Sequence, residues 1–276
     1  MEIKVIKTSR VISPTLMTIA PYAINPYRGC ELGCLYCYVQ LTKNFKRNFL
    51  GVKMNAPLIL EKELKTKNVK RVVLGSSCEC FTYAELKFKI TEKILNILNK
   101  YRINYTILTK STVIENYLDL IKNNQNNCIF FTFNFTSEKI KSLLEVASPS
   151  LKKRLHTLEN IIKLDIKLRI HIGPFIPYFS TLEEIFLLFK NKIKNINIEL
   201  YHSKMGNFKE ILSKLKNFNM KLASKLEDIY RSPSSYYNFS QDLKERAQQL
   251  NKNYNYRLNF IVPEFDKFYD SKITYD

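Results

Sequence analysis

The hydrophobic pattern alternates between short β-branched runs and longer segments in which apolar residues recur at helical spacing. Five runs are typical of buried strands, at residues 69–77, 103–111, 127–135, 165–177 and 195–203. Each is followed by a segment of helical period, at residues 84–101, 113–124, 137–164 (interrupted at Pro149), 181–193 and 207–218. Repeated strand–helix units predict a parallel sheet with right-handed crossovers, and therefore an α/β fold.

A sixth strand is predicted at "YAINP", residues 22–26, just before a cysteine-rich loop. Six such units are too few for a closed eight-fold barrel, so the expected architecture is a partial (β/α)6 barrel of the TIM type over residues 1–220. Residues 221–276 depart from the pattern, with a polar and aromatic stretch, a helix and a short strand. Because no Gly/Ser-rich linker precedes them, we expect an α+β C-terminal extension packed on the barrel.

The composition is that of an ordinary globular chain, with 45% hydrophobic and 25% charged residues among 276. No run reaches the roughly 18 apolar residues that a membrane span requires. The N-terminus also lacks an apolar signal core followed by a small-residue cleavage site. A cytoplasmic location without a membrane partner is therefore predicted, and there the thiols stay reduced.

The formal net charge of +19 admits two interpretations. It can mark a surface for nucleic acid or for another acidic partner. It can equally reflect a lysine-rich composition spread over every solvated face, because no compact basic block is present.

The loop "NPYRGCELGCLYCYV" brings Cys30, Cys34 and Cys37 into eight positions. A disulfide uses two cysteines and a structural zinc site uses four ligands, so three clustered thiols fit neither. The three histidines are scattered and lack ligand spacing. Three thiolates leave one coordination position open, either on a catalytic zinc ion or on a cubic iron–sulfur cluster. The residues alone leave both open.

The pattern Cys-x3-Cys-x-aromatic-Cys resembles the cluster loop of radical S-adenosylmethionine (radical SAM) enzymes, and within them the spore photoproduct lyase-like group. Further blocks similar to that group follow in the same order, at residues 52–57, 75–85, 108–111, 145–154 and 172–177. The resemblance covers about residues 20–180, and nothing past residue 200 is recognisable.

The resemblance implies a 4Fe-4S cluster ligated by Cys30, Cys34 and Cys37, with the fourth iron free to bind the amino and carboxylate groups of SAM. One electron would then cleave SAM to methionine and a 5′-deoxyadenosyl radical, which abstracts hydrogen from a substrate. The electron would come from a donor such as flavodoxin or ferredoxin. The substrate stays open: a DNA lesion by analogy, RNA or a peptide.

The resemblance also implies a SAM site at the carboxyl ends of the strands, where parallel α/β folds bind ligands. Its residues are Tyr36, Gly75, Ser76, Ser77, Glu79, Lys110, Thr132, Asn134 and Arg154. Lys110 would pair with the SAM carboxylate, Glu79 would accept from its amino group, and Tyr36 would contact adenine. The competing interpretations are a solvated lysine at 110 and a salt bridge between Arg154 and Glu145 that braces a broken helix.

Cys78 and Cys80 depart from the group, which has no thiol pair at this strand end. Its lyases use a cysteine in this region, at a position that matches Ser76 better. We keep three hypotheses for the pair: a catalytic hydrogen-atom donor, ligands of a second metal site, or small buried residues.

Three functions follow from these observations. The first is a radical SAM enzyme, either a lyase or a transferase. The second is a zinc-binding, basic nucleic-acid module without radical chemistry, and the third is a non-catalytic barrel that keeps the cluster for stability.

Overall fold

The computed structural model describes residues 1–41, 46–204 and 207–266. Its strands are β1 Glu2–Ile6, β2 Ser13–Pro14, β3 Tyr22–Ile24, β4 Tyr27–Gly29, β5 Phe49–Lys53, β6 Arg71–Leu74, β7 Asn104–Thr109, β8 Cys128–Thr132, β9 Lys167–Phe175, β10 Asn195–Leu200 and β11 Arg257–Ile261. Its helices are α1 Ala56–Thr66, α2 Glu85–Phe88, α3 Ile90–Lys100, α4 Leu118–Lys122, α5 Glu138–Leu144, α6 Leu151–Lys163, α7 Leu182–Leu188, α8 Phe208–Phe218, α9 Met220–Ile229 and α10 Pro233–Asn251. Short 3-10 helices span Tyr38–Leu41 and Thr112–Tyr117.

The main sheet has the order β11-β10-β9-β8-β7-β6-β3-β2. Every pairing from β3 to β11 is parallel, and only β2 is antiparallel to its neighbour. The six predicted strands are consecutive neighbours in this sheet, which confirms the mixed α/β class with a central parallel sheet. The edge strands β2 and β11 do not pair with each other within the described residues, so the sheet is open there.

A second, three-stranded sheet carries the cysteine loop. Its order is β1-β5-β4, with β1 parallel and β4 antiparallel to β5. The sequence pattern did not predict it, because its strands are short and are paired across long stretches of chain. The loop with the three cysteines begins directly after β4.

Several predicted elements have different boundaries. The helical segment 84–101 is divided into α2 and α3 at Lys89, whose φ of 54° is left-handed. The polar and aromatic stretch after residue 230 is the first half of α10, and α9 precedes it. The strand predicted in the C-terminal region is β11, which extends the main sheet beside β10.

The helices pack on one face of the main sheet. α3 shows why, since Ile90, Ile94, Leu95 and Leu98 recur at helical spacing and are all buried. The sheet residues buried in the same continuous core include Val72, Leu74, Ile107, Ile129, Phe131, Ile170, Ile172, Ile196 and Ile198. No helix in the described part of the chain is both long and apolar enough to cross a bilayer.

The opposite face of the main sheet, called here the second face, carries the alternate residues of the same strands. On β3, β6 and β7 these are Ala23, Val73 and Leu108, and they form a separate apolar cluster with Ile19 and Ala20. The segment before β3 therefore covers one part of the second face.

Candidate functional site

The predicted site residues meet where the parallel strands end. Gly75 follows β6, Lys110 follows β7, and Asn134 lies two residues past β8. The cysteine loop is held against this edge by the end of α5: Leu35 N donates to Leu144 O at 2.9 Å, and Ala147 N donates to Leu32 O at 3.0 Å. Cys34 and Glu145 form an isolated antiparallel bridge between the two segments. A long-range backbone contact thus fixes the loop beside the strand ends.

Lys110 points into the molecule and not into solvent. Its side chain is only 12% exposed, and its Nζ lies 3.0 Å from Glu145 Oε1. The same Nζ donates to Tyr36 Oη at 2.5 Å and to Cys34 Sγ at 3.5 Å. The interpretation of Lys110 as a solvated surface residue is therefore wrong, and its ammonium reaches the cysteine loop.

Glu145 is the centre of a buried charge cluster. The side chains of Glu145 and Arg154 form an ion pair and are both fully buried. Although burial raises the pKa of Glu145, the charges of Lys110 and Arg154 outweigh it and hold that pKa well below its usual range. One carboxylate faces two cations, so the group carries one net positive charge beside Cys34. The predicted Glu145–Arg154 brace is present, and it is part of the site.

Asn134 positions this cluster. Its Nδ2 donates to Tyr36 Oη at 2.9 Å and to Gly173 O at 3.1 Å, while its Oδ1 accepts from Gly173 N at 2.8 Å. The side-chain amide thereby links the segment after β8 to β9 by hydrogen bonds and orients the Tyr36 hydroxyl. Thr132 is buried at the end of β8, on the same side as Asn134 by alternation.

The turn after β6 is shaped by Gly75 and Asn25. Gly75 has φ +84°, and a Cβ there would lie 2.6 Å from Leu108 O, so a larger residue does not fit. Asn25 Oδ1 accepts from Ser77 N at 2.9 Å, and its Nδ2 donates to Ser76 Oγ at 3.1 Å. Sequence reasoning missed Asn25, although its place at the end of the predicted strand at residues 22–26 was a usable signal.

Glu79 is buried and braces the neighbouring strand end. Its carboxylate accepts from Thr109 Oγ1 at 2.7 Å, Phe81 N at 3.0 Å and Lys110 N at 3.2 Å. A carboxylate has about four acceptor positions, so one is left for a ligand such as an amino group. Glu79 therefore stabilises the strand end through its hydrogen bonds and keeps one acceptor position for the predicted contact with the SAM amino group.

Cys78 and Cys80 occupy different surroundings. Cys80 is fully buried in the main core, and a Cβ on Gly75 would lie 3.2 Å from its Sγ. Cys78 is 8% exposed, and its Sγ lies 3.6 Å from Asn25 Oδ1. Burial raises the pKa of Cys80 well above its usual value, with Cys78 adding to the effect.

The cysteine loop offers three free thiols to a cofactor. Burial raises the pKa of Cys30, Cys34 and Cys37, and the neighbouring Cys34 raises the pKa of the other two further. A positively charged metal group would offset both effects, and the net positive charge beside Cys34 favours a thiolate there. The donor set thus fits a cubane cluster, which distributes its thiolates over separate irons.

Within the described residues, no group of three or more His, Cys, Asp or Glu side chains is arranged so that it could hold a metal ion.

A sequence model of the Radical SAM superfamily matches residues 24–189 of this chain. An uncharacterised protein of Methanocaldococcus jannaschii, MJ0683, is 33% identical over 190 residues, which are 67% of this chain and 71% of that protein. The uncharacterised protein Rv2578c of Mycobacterium tuberculosis is 23% identical over 172 residues, covering 58% of this chain and 51% of the relative.

Solved structures show the same fold at low identity. A spore photoproduct lyase variant with bound AdoMet and dinucleoside spore photoproduct has a TM-score of 0.67 at 14% identity, covering 94% of this chain and 80% of the lyase. Streptococcus suis SuiB, bound to the precursor peptide SuiA, has a TM-score of 0.58 at 15% identity, covering 87% of this chain and 48% of SuiB. Since the family match extends over more than half of the sequence, the chain belongs to the radical SAM superfamily and is a radical SAM enzyme.

Proposed function

We propose that Cys30, Cys34 and Cys37 hold a 4Fe-4S cluster and that the enzyme cleaves SAM reductively to abstract hydrogen from a substrate. The observation that most directly supports this proposal is the position of the loop with these thiols. Its Cys34 pairs with Glu145, which belongs to a buried charge cluster with one net positive charge. When bound, the cluster supplies the one-electron reduction of SAM. The chain itself supplies ligation, orientation and a site shielded from water.

Each residue of the buried charge cluster has a role in this proposal. Lys110 stabilises the thiolate of Cys34 and presents its ammonium to the SAM carboxylate, a charge-assisted hydrogen bond. Glu145 and Arg154 hold Lys110 and Tyr36 in place, and Asn134, which follows β8, fixes the Tyr36 hydroxyl. The SAM amino group is approached by the turn formed by Gly75, Ser76 and Ser77. The carboxylate of Glu79 accepts a hydrogen bond from that amino group.

Between the two thiols after β6, Cys78 is the better candidate for the catalytic hydrogen donor. It keeps some exposure and lies beside Asn25 at the strand ends, whereas Cys80 is enclosed in the core. We assign Cys80 a packing role.

The sheet is proposed to form a partial barrel, with the second face as its interior. The enzyme is proposed to work in the cytoplasm with a flavodoxin or ferredoxin as electron donor, for which the excess of basic residues offers a complementary surface. The spore photoproduct lyase structure holds dinucleoside spore photoproduct and the SuiB structure holds a precursor peptide, so we propose a nucleic acid or a peptide as the substrate class.

The first test is anaerobic reconstitution with iron and sulfide, followed by incubation with SAM and a strong reductant. We expect a brown protein that forms 5′-deoxyadenosine, measured by mass spectrometry. A colourless protein that binds zinc and forms no 5′-deoxyadenosine would contradict the proposal and favour the zinc-binding module. A brown protein that leaves SAM intact would favour a cluster kept for stability.

A further inference from the structure

Polar residues line the second face of the main sheet on β8, β9 and β10. Leu108 belongs to the apolar cluster of that face, and its register neighbour on β8 is Phe130. Phe130 is in turn level with Arg169 on β9. Because side chains alternate between faces, Arg169 and the residues two positions further along each strand lie on the second face too.

The next row of that face consists of Thr132, His171 and Asn197, which are register neighbours on β8, β9 and β10. Glu199 lies two residues beyond Asn197 on the same face, and its Oε2 is 3.4 Å from His171 Nε2. We call Arg169, His171, Asn197 and Glu199 the polar row. An interior-facing sheet surface normally buries apolar side chains, so a polar row there needs partners.

Arg169 is a half-buried cation without an acidic ion-pair partner among the described residues. Its Nη1 donates to Asn197 Oδ1 at 3.2 Å, and its guanidinium lies over the Phe130 ring, 4.9 Å from the centroid. The ring and the amide hold the guanidinium in one orientation but leave its charge uncompensated. A planar, pre-positioned guanidinium is the side chain best suited to an oxyanion.

His171 has an unsatisfied buried atom in the same row. Its Nδ1 is buried and has no hydrogen-bond partner among the described residues, while its Nε2 faces Glu199. The ring lies against Gly173, where a Cβ would be only 1.9 Å from His171 Nε2. A buried polar atom without a partner indicates a missing ligand or water.

The polar row adjoins the proposed SAM site. The carbonyl of His171 accepts a hydrogen bond from Phe133 N at 2.9 Å. Two residues further along β9, Gly173 N donates a hydrogen bond to Asn134 Oδ1. Asn134 contacts Tyr36, which contacts Lys110. A molecule held by the polar row would therefore lie on the same side of the sheet as the site and next to it.

We propose that the polar row is the substrate-anchoring subsite of this enzyme and that it binds a carboxylate, with Arg169 as the charged donor and His171 Nδ1 as the second donor. The inference deepens the proposed function, on which it rests for the identity of the bound molecule as substrate. A carboxylate fits better than a phosphate monoester dianion, because Glu199 lies beside His171 and repels a second negative charge.

The test uses acetate as probe and the chain's three histidines as reporters. Histidine ring signals of the full chain are recorded by NMR during acetate titration, without SAM, before and after cluster reconstitution. His171→Gln and His156→Gln assign the signals. His156 is exposed on the lysine-rich helix α6, so it reports non-specific anion binding to the basic surface.

We expect acetate to shift the His171 signal saturably and the His156 signal little. Arg169→Gln should weaken the apparent affinity for acetate about tenfold or more, the loss expected for a hydrogen bond to a charged group. Arg169→Lys keeps the positive charge but loses the planar guanidinium donors, so its apparent affinity for acetate should lie between those of the parent chain and Arg169→Gln. Arg231→Gln is the matched control, because Arg231 is exposed and paired with Asp228.

An unmoved His171 signal would overturn the proposal, as would equal shifts at His171 and His156 or an affinity that Arg169→Gln leaves unchanged. A response to inorganic phosphate but not to acetate would overturn the carboxylate assignment. Unaltered His156 and His202 signals show that a variant is folded. SAM cleavage is measured separately, so its failure and the absence of acetate binding are distinguishable results.

Discussion

Among the individual residues of the site, Lys110 is the one whose proposed role as a SAM ligand can be separated from a structural role by experiment, because its ammonium reaches the cysteine loop. Lys110→Ala should retain the cluster but weaken SAM binding by about 1.5–3 kcal/mol, the range for a hydrogen bond to a charged group. Calorimetric titration with SAM measures the change. Lys100→Ala is the control, because Lys100 forms an exposed ion pair with Glu61 on the helix side. Equal affinities of the two variants would reduce Lys110 to a structural role.

Glu145 stabilises the fold through its charge. Glu145→Gln leaves Lys110 and Arg154 buried without a counter-charge, so we expect a loss of about 3–5 kcal/mol in the free energy of unfolding. Urea unfolding at neutral pH measures it. The matched variant is Glu210→Gln, whose exposed pair with Arg47 should be worth less than about 1 kcal/mol.

The same residue gives a pH dependence with a definite sign. The pKa of Glu145 is lowered in the folded protein, so its contribution is complete above the ordinary glutamate pKa of about 4.3. It is lost progressively as pH falls below that value toward the lower folded pKa. Glu145→Gln should therefore lose less stability on acidification than the parent chain does. Parallel curves for the two proteins would contradict this account of Glu145.

At the scale of elements, the turn after β6 depends on a glycine for two separate reasons. Gly75→Ala should destabilise the chain through its positive φ and through the approach of Cβ to Leu108 O. Gly33 is the matched control, since it also has a positive φ but its nearest neighbour would be 4.0 Å away. Gly33→Ala should cost about 1–2 kcal/mol for the left-handed conformation, and Gly75→Ala clearly more. Equal losses in urea unfolding would show that the turn adapts to a methyl group.

Elements were predictable where local periodicity determines them. β6 to β10 follow one another with helices between them, so their order could be predicted from apolar spacing. The small sheet of β1, β4 and β5 could not be, because its pairings join distant segments. Candidate residues at strand ends were predictable for the same reason as the strands. The polar row was not, because its existence depends on the register of β8, β9 and β10, which no local pattern fixes.

For the molecule as a whole, the excess of basic residues is distributed and not concentrated in the site. Five ion pairs among the described residues have both side chains exposed, and such pairs contribute little to stability. The buried cluster around Glu145 is the exception. The charge of +19 is therefore better understood as a property of the surface as a whole.

The central claim is that one loop holds the cofactor on which the whole enzyme depends. The most direct measurement compares iron and sulfide content and 5′-deoxyadenosine formation after anaerobic reconstitution of Cys30→Ala, Cys34→Ala and Cys37→Ala. Cys128→Ala is the control, since Cys128 begins β8, away from the loop. We predict that each loop variant loses both the cluster and the product, while Cys128→Ala keeps both. Full cluster content and 5′-deoxyadenosine formation in all three loop variants would contradict the account.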